Sequence, residues 1–175
     1  SDGFVTALNP FDGALMWEKR LAEPRKQFKD IDASPLPDGD SLYVSFYDGS
    51  LYSLKAADGS ISWKFDDGGA GSPALAGNAI YLPSSSGVVY SIDKGSGKAI
   101  WSYKLNEGLP SSILTVERYI LFGSSVNGVI ALDLEKGEER WQYTPGSGIY
   151  SGLAYSNSNL YFLSNGGFIY SIPCK

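Results

Sequence analysis

Hydrophobic positions in this chain recur in short alternating runs. The stretch YDGSLYSLKAADGSISWKF, residues 47–65, alternates apolar and polar residues on both sides of the turn dipeptide Asp58-Gly59. Such alternation puts side chains on opposite faces of a strand. Other runs, such as SLYVSFYDG, AIYLPSSSG, YILFGSSVNG and NLYFLSNGG, are aromatic and aliphatic segments bounded by Gly, Asn, Ser and Asp. That is strand punctuation. No window shows apolar spacing of three and four with caps at both ends, so the pattern predicts strands and essentially no helix.

The stretch is one copy of a unit. An aliphatic residue (Leu8, Leu54, Ile92, Leu132) lies nine positions before a tryptophan (Trp17, Trp63, Trp101, Trp141), and a glycine (Gly13, Gly59, Gly97, Gly137) lies four before it. A fifth copy, FIYSIPCK, stops after its aliphatic residue, Ile172. The aliphatic positions are 46, 38, 40 and 40 residues apart. A period near 40 with one tryptophan per repeat predicts a propeller or similar array. Each period holds a small-residue strand (DIDASPLP, GAGSPALAG, LPSSILTV, IYSGLAYS), an apolar second strand, a third strand of the YSL type and a tryptophan-bearing outer strand. Four antiparallel strands per repeat make a propeller blade.

The expected organisation is therefore all-β, with seventeen strands in a partial propeller: the end of a blade over 3–21, whole blades over 31–66, 69–105 and 109–144, and a last blade over 149–172 that lacks its outer strand. A closed four-bladed ring would need sixteen strands, so about half of an eight-bladed ring is expected. The open blade edges suit pairing with a second half-propeller. Asp2-Gly3, Asp48-Gly49 and Asn127-Gly128, and more loosely Gly87 and Gly167, are expected in two-residue hairpin turns, where positive φ is needed. The strict period of the tryptophans favours packing over a stacking platform and places them buried between blades.

Composition narrows the function. The net charge is −5, there is no histidine, and no stripe of Lys and Arg stands out, which argues against nucleic acid. Apolar runs are too short to cross a bilayer as helices. The lone Cys174 excludes an internal disulfide framework or a cysteine-rich metal site. No nucleophile with a partner base, phosphate-cradling loop or calcium-loop carboxylate set is present, so no catalytic, cofactor-binding or metal-binding residue is assigned. The pattern breaks once. LAEPRKQFKDIDASP, residues 21–35, holds the surplus length of the first interval and the densest charge in the chain. Loops on a rigid scaffold are where binding concentrates.

The core D-x-x-x-G-x-x-x-W resembles the repeat of pyrroloquinoline-quinone dehydrogenases and their non-enzymatic relatives. DGFVTALNPFDGALMWEKRL, followed by DIDASPLPDGDSLYVSFYDGSLYSLKAADGSISWK, is similar to the middle of the BamB family, and GGFIYSIPCK resembles that family's C-terminal end. These are eight-bladed lipoproteins of the machinery that assembles β-barrels in the bacterial outer membrane. The resemblance implies a non-catalytic scaffold without cofactor. It would sit on the periplasmic face of the outer membrane, held by a lipid anchor outside this chain. It implies a BamA-like partner bound through its POTRA domains, with Asp30 and Asp32 matching an acidic pair of the binding surface. It also implies that an N-terminal segment supplies the outer strand of the last blade. Two alternatives remain: a fragment of a quinone-dependent dehydrogenase, which would need an adjacent cysteine pair, a calcium site and a catalytic aspartate, and a luminal or periplasmic sensor domain built from similar repeats.

Overall fold

The computed structural model describes residues 3–21, 33–46, 49–69 and 71–174. Asp2, Asp48 and the acidic pair Asp30 and Asp32 lie outside the described residues. Among the described residues the fold is all-β, in five antiparallel sheets that follow chain order. A hairpin of β1 (Phe4–Leu8) and β2 (Leu15–Arg20) comes first. Three four-stranded blades follow. The first is β3 (Leu36–Asp38), β4 (Ser41–Ser45), β5 (Leu51–Lys55) and β6 (Ile61–Phe65). The second is β7 (Ala74–Ala76), β8 (Ala79–Pro83), β9 (Val88–Asp93) and β10 (Ala99–Lys104). The third is β11 (Leu114–Val116), β12 (Tyr119–Ser124), β13 (Gly128–Asp133) and β14 (Glu139–Tyr143). A three-stranded sheet of β15 (Ala154–Ser156), β16 (Asn159–Leu163) and β17 (Ile169–Pro173) ends the array.

The middle strands of each blade are apolar on both faces because sheets cover them from both sides. Ile80, Leu82, Val89 and Ile92 of the second blade are fully buried, as are Ile120, Phe122, Val129 and Leu132 of the third. Each such side chain contributes about 1.5–3 kcal/mol of burial. The core is divided into four clusters, one per seam between neighbouring sheets. Val5 and Leu21 pack on Val44 and Leu54; Tyr43 and Leu51 on Ile80 and Leu82; Tyr81 and Val89 on Ile120 and Phe122; Leu121 and Val129 on Leu160 and Phe162.

The four tryptophans occupy equivalent places on the outer strands β2, β6, β10 and β14, each opposite a small residue of the third strand: Ala7, Ser53, Ser91 and Ala131. They pack against the seam clusters as expected, with part of each ring left exposed. The reason is geometric. The rings of Trp17, Trp63 and Trp101 rest on the following blade at its rim, so the other side of each stays partly open. The indole N–H of Trp17 donates to the Ala56 carbonyl at 2.9 Å, that of Trp63 to Lys94 at 3.0 Å, and that of Trp101 to Leu134 at 3.2 Å.

Beneath the rings of Trp17, Trp63 and Trp101 is the repeat glycine of the next blade. The turn between third and fourth strands closes by two backbone bonds, as in Asp93 N to Lys98 O at 2.8 Å and Gly97 N to Asp93 O at 2.8 Å, and it puts the glycine at φ near +70°. The same bonds and the same φ recur at Gly13, Gly59 and Gly137. An added Cβ would come within 2.7 Å of the Trp17 ring at Gly59, 2.6 Å of Trp63 at Gly97 and 2.5 Å of Trp101 at Gly137. Gly13 has the same backbone, with nothing within 4 Å of that position.

Gly3, Gly87, Gly128 and Gly167 take positive φ as expected, but the two-residue turns lie elsewhere. Positive φ in two-residue turns falls between first and second strands, at Gly39, Gly77, Glu117 and Asn157. Second and third strands are joined by three-residue loops, Ser85–Gly87 and Asn165–Gly167, in which the glycine N–H donates to Ser84 or Ser164. Gly49 is not at positive φ. A serine at the end of the second strand explains one longer loop: the Ser84 hydroxyl accepts the Ser86 N–H at 2.9 Å, a local bond that competes with a tight turn.

The turn glycines give a prediction with its own control. Gly13→Ala should cost about 1–2 kcal/mol, the left-handed backbone penalty alone. Gly97→Ala should cost that plus about 1–3 kcal/mol for overpacking against Trp63. Urea unfolding measures both, and equal losses would refute the contact. Trp101→Ala should fall below the ~3–5 kcal/mol of a fully buried ring.

Candidate interaction face

One face of the array carries the connections that enter each blade together with the loops between second and third strands. The repeat register aligns residues six positions ahead of each first strand: Asp30 with Gly68, Gly108 and Gly148. Gly68 and Gly148 are tightly held there. The Gly68 carbonyl accepts the Ser85 N–H and the Gly148 carbonyl accepts the Asn165 N–H, both at 2.9 Å. A Cβ on Gly68 would come 1.9 Å from the Phe46 carbonyl oxygen, and on Gly148 1.7 Å from that of Ser125. Both carbonyls belong to the preceding blade. In the third blade the equivalent bond, from the Ser125 N–H at 2.9 Å, goes to the carbonyl of Leu109, so this packing also accommodates a side chain.

Asp67 shows what a carboxylate on this face does when it is structural. Its oxygens accept the Gly68 N–H at 2.8 Å and the hydroxyls of Ser84 at 2.6 Å and Ser86 at 3.0 Å. Lys104 donates to the Ser86 carbonyl at 2.6 Å. The sequence reading passed over this cluster. Its signal was Asp67 followed by SSS at 84–86, which local spacing does not connect. Exposed apolar side chains on the same face are Val126, Tyr150 and Phe168. Among the described residues no group of three or more His, Cys, Asp or Glu could hold a metal ion.

Titratable groups cluster on the opposite rim and at the seams. Asp93 accepts from the Ser96 hydroxyl and N–H, and its carboxyl is held below the ordinary aspartate range chiefly by that hydroxyl. Asp133 is lowered first by the Lys136 N–H and then by Arg140, which it meets at 3.0 Å. Lys94 reaches across a seam to Asp38 at 2.8 Å. Tyr103 of the second blade donates to Glu139 of the third at 2.5 Å.

These sheets, seams and indole contacts define a propeller of four-stranded blades built from quinoprotein-like repeats. A family model described as outer membrane protein assembly factor BamB matches residues 1–103 and 85–172, and the chain belongs to that family. The factor from Xanthomonas campestris pv. campestris is 31% identical over 105 residues, covering 57% of this chain and 26% of that protein. The factor from Legionella pneumophila (strain Paris) is 25% identical over 177 residues, covering 97% of this chain and 46% of that protein. The crystal structure of BamB from Moraxella catarrhalis superposes with a TM-score of 0.79 at 20% identity, over 97% of this chain and 52% of that one. This chain thus spans about half the length of such relatives. A quinohemoprotein alcohol dehydrogenase from Comamonas testosteroni shares the fold at a TM-score of 0.70 and 15% identity, over 78% of this chain and 29% of that one.

The seam phenol predicts an alkaline weakness. Burial, then the bond to Glu139, pushes Tyr103 up to about 12, which favours its protonated form in the fold. An unfolded tyrosine ionises near about 10. The stabilisation is therefore complete below pH ~10 and is lost as pH rises toward ~12. Tyr43, Tyr81 and Tyr90, also raised chiefly by burial, act in the same direction. Tyr103→Phe should flatten the fall in melting temperature across that window. An unchanged slope would show that this bond does not persist in solution.

Proposed function

We propose that the chain is a non-catalytic interaction scaffold in the assembly of outer-membrane β-barrels. It works on the periplasmic face of the outer membrane, in a polypeptide whose lipid anchor lies outside these residues. The observation that carries the reading is membership of the BamB family over residues 1–172. The regular seams support it, because they use their aromatic and polar groups on one another. We assign no cofactor, and the fold shared with quinohemoprotein dehydrogenases carries no activity by itself.

The partner in this reading is a BamA-like protein, bound through POTRA domains by a surface that includes Asp30 and Asp32. Charge supports the assignment, because residues 21–35 hold the densest charge in the chain. The connection of residues 21–35 is also the longest of its kind, so it has chain to spare for presenting both side chains.

The test is charge reversal, Asp30→Lys with Asp32→Lys. Affinity for a POTRA fragment should fall by a few kcal/mol at most while the melting temperature stays near wild type. A lowered melt with unchanged affinity of the folded fraction would make the aspartates structural. A separate trial concerns chemistry. Reconstitution with pyrroloquinoline quinone and calcium should give no turnover of an artificial electron acceptor above background, and stoichiometric quinone binding with turnover would overturn the scaffold reading.

A further inference from the structure

Two neighbouring seams differ at one place on the rim. Where the first two whole blades meet, Lys94 reaches back across the seam to Asp38 at 2.8 Å. One repeat on, the register puts Leu134 in the place of Lys94 and Ala76 in that of Asp38. Ser41 and Ser62 likewise give way to Ala79 and Ile100. The bridge is gone, and an apolar groove of about 260 Å³ opens between Ala76, Ala79, Tyr81, Ile100 and Leu134. Ile100 is its most open wall, at 56% exposed. Both blades at this seam have all four strands, so the groove does not arise from an uncovered end of the array.

The walls define what the groove takes. Its polar groups are already engaged: the Tyr81 hydroxyl donates to the Leu134 carbonyl at 3.0 Å, and the Asn78 amide to Asp93 at 2.6 Å. Glu135 also lines the groove, and among the described residues no Lys or Arg pairs with its carboxylate. The space is smaller than the roughly 300 Å³ at which small-molecule sites begin, so it suits a side chain and not a cofactor. An apolar side chain is stabilised here by leaving water, and a cation beside it by the free carboxylate. One seam earlier, Lys94 brings that same combination, a methylene stem and an ammonium group, to the same register.

We propose that this groove is a docking site for an extended peptide segment of a partner protein. The segment inserts an aliphatic side chain between Ile100 and Leu134 and sets an adjacent lysine or arginine on Glu135. The site lies on the rim opposite the connections that enter the blades, so it is separate from the surface that includes residues 21–35. The inference rests on the comparison of the two seams and is independent of the POTRA contact.

The experiment uses the full polypeptide, labelled with ¹⁵N on tryptophan. The Leu134 carbonyl accepts the Trp101 indole N–H, so that resonance reports on the groove. The probe is acetyl-Gly-Leu-Lys-Gly-amide. It should shift Trp101 and leave Trp17 and Trp63 in place. Serine in place of the probe's leucine should abolish the shift. Glutamate in place of its lysine should weaken binding about two- to fivefold, the effect of an exposed ion pair. Glu135→Gln should erase that charge preference and keep the need for leucine. Ala76→Asp with Leu134→Lys rebuilds the neighbouring bridge and should abolish binding at a melting temperature near wild type. Where that double variant fails to fold, Ile100→Ser, which copies Ser62, replaces it and should weaken binding about tenfold. No Trp101 shift at about 10 mM probe would overturn the proposal. So would equal binding of the serine or glutamate probe, a charge preference that survives Glu135→Gln, or undiminished binding to the rebuilt seam or to Ile100→Ser.

Discussion

The contact of an indole with the glycine of the next blade is what turns separate sheets into an array. Apolar burial supplies most of the stabilisation, yet it is non-directional and lets two flat faces slide. The indole contact is directional at two points. Its N–H needs a carbonyl, and its ring needs a residue without a Cβ. Ala56, Lys94 and Leu134 bind in both directions, since each gives its N–H to the first turn of its own blade and its carbonyl to the indole of the preceding one. A shift of one blade along another would break both bonds and drive the ring into a side chain. The glycine is needed twice over, for the left-handed backbone that closes the turn and for the space above it.

A scaffold fixed in this way leaves its variation to the loops. The backbone bonds of the rim turns repeat, and the aspartates Asp58, Asp93 and Asp133, at two different positions in those turns, are committed to turn N–H groups. On the other face the connections are also packed, with Gly68 and Gly148 pressed on the preceding blade and Asp67 saturated by hydroxyls and an N–H. Only the connection of residues 21–35 departs from the repeat in both length and charge. Conformity elsewhere makes that departure informative, because a regular array gains nothing from an irregular joint except what the joint can touch.

The blades were legible in the sequence because the period is carried by residues that are chemically scarce. Four tryptophans in one register, each four after a glycine, leave little choice of architecture. What could not be read was how much of each ring is covered. That depends on the offset between neighbouring blades, which no single repeat encodes. The turns show the same limit. Glycine marked the positions of positive φ, but Glu117 takes φ +52° where Gly39 and Gly77 stand in the other blades, and Gly49 does not use its freedom. The cluster around Asp67 was hidden because its partners, Ser84 and Ser86, are 17 and 19 residues away. As for the acidic pair, its place was suggested by resemblance and by an anomaly of length, neither of which is geometry.

The ends of the array also bear on where a partner binds. Tyr161 and Ile169 are 38% and 77% exposed, and a simple survey of apolar surface would single them out. Counting back one repeat gives Leu121 and Val129, and two repeats gives Tyr81 and Val89, all at 3% or less. The residue types are unchanged, and the difference is whether a sheet lies on that face. At the other end Leu8, 54% exposed, stands in register with Leu54, Ile92 and Leu132, all fully buried. These side chains are seam residues in composition and register. Their exposure therefore records an uncovered blade face, and it carries no information about a binding partner. Once they are set aside, the remaining candidates for recognition are the loops, where the side chains do not follow the repeat.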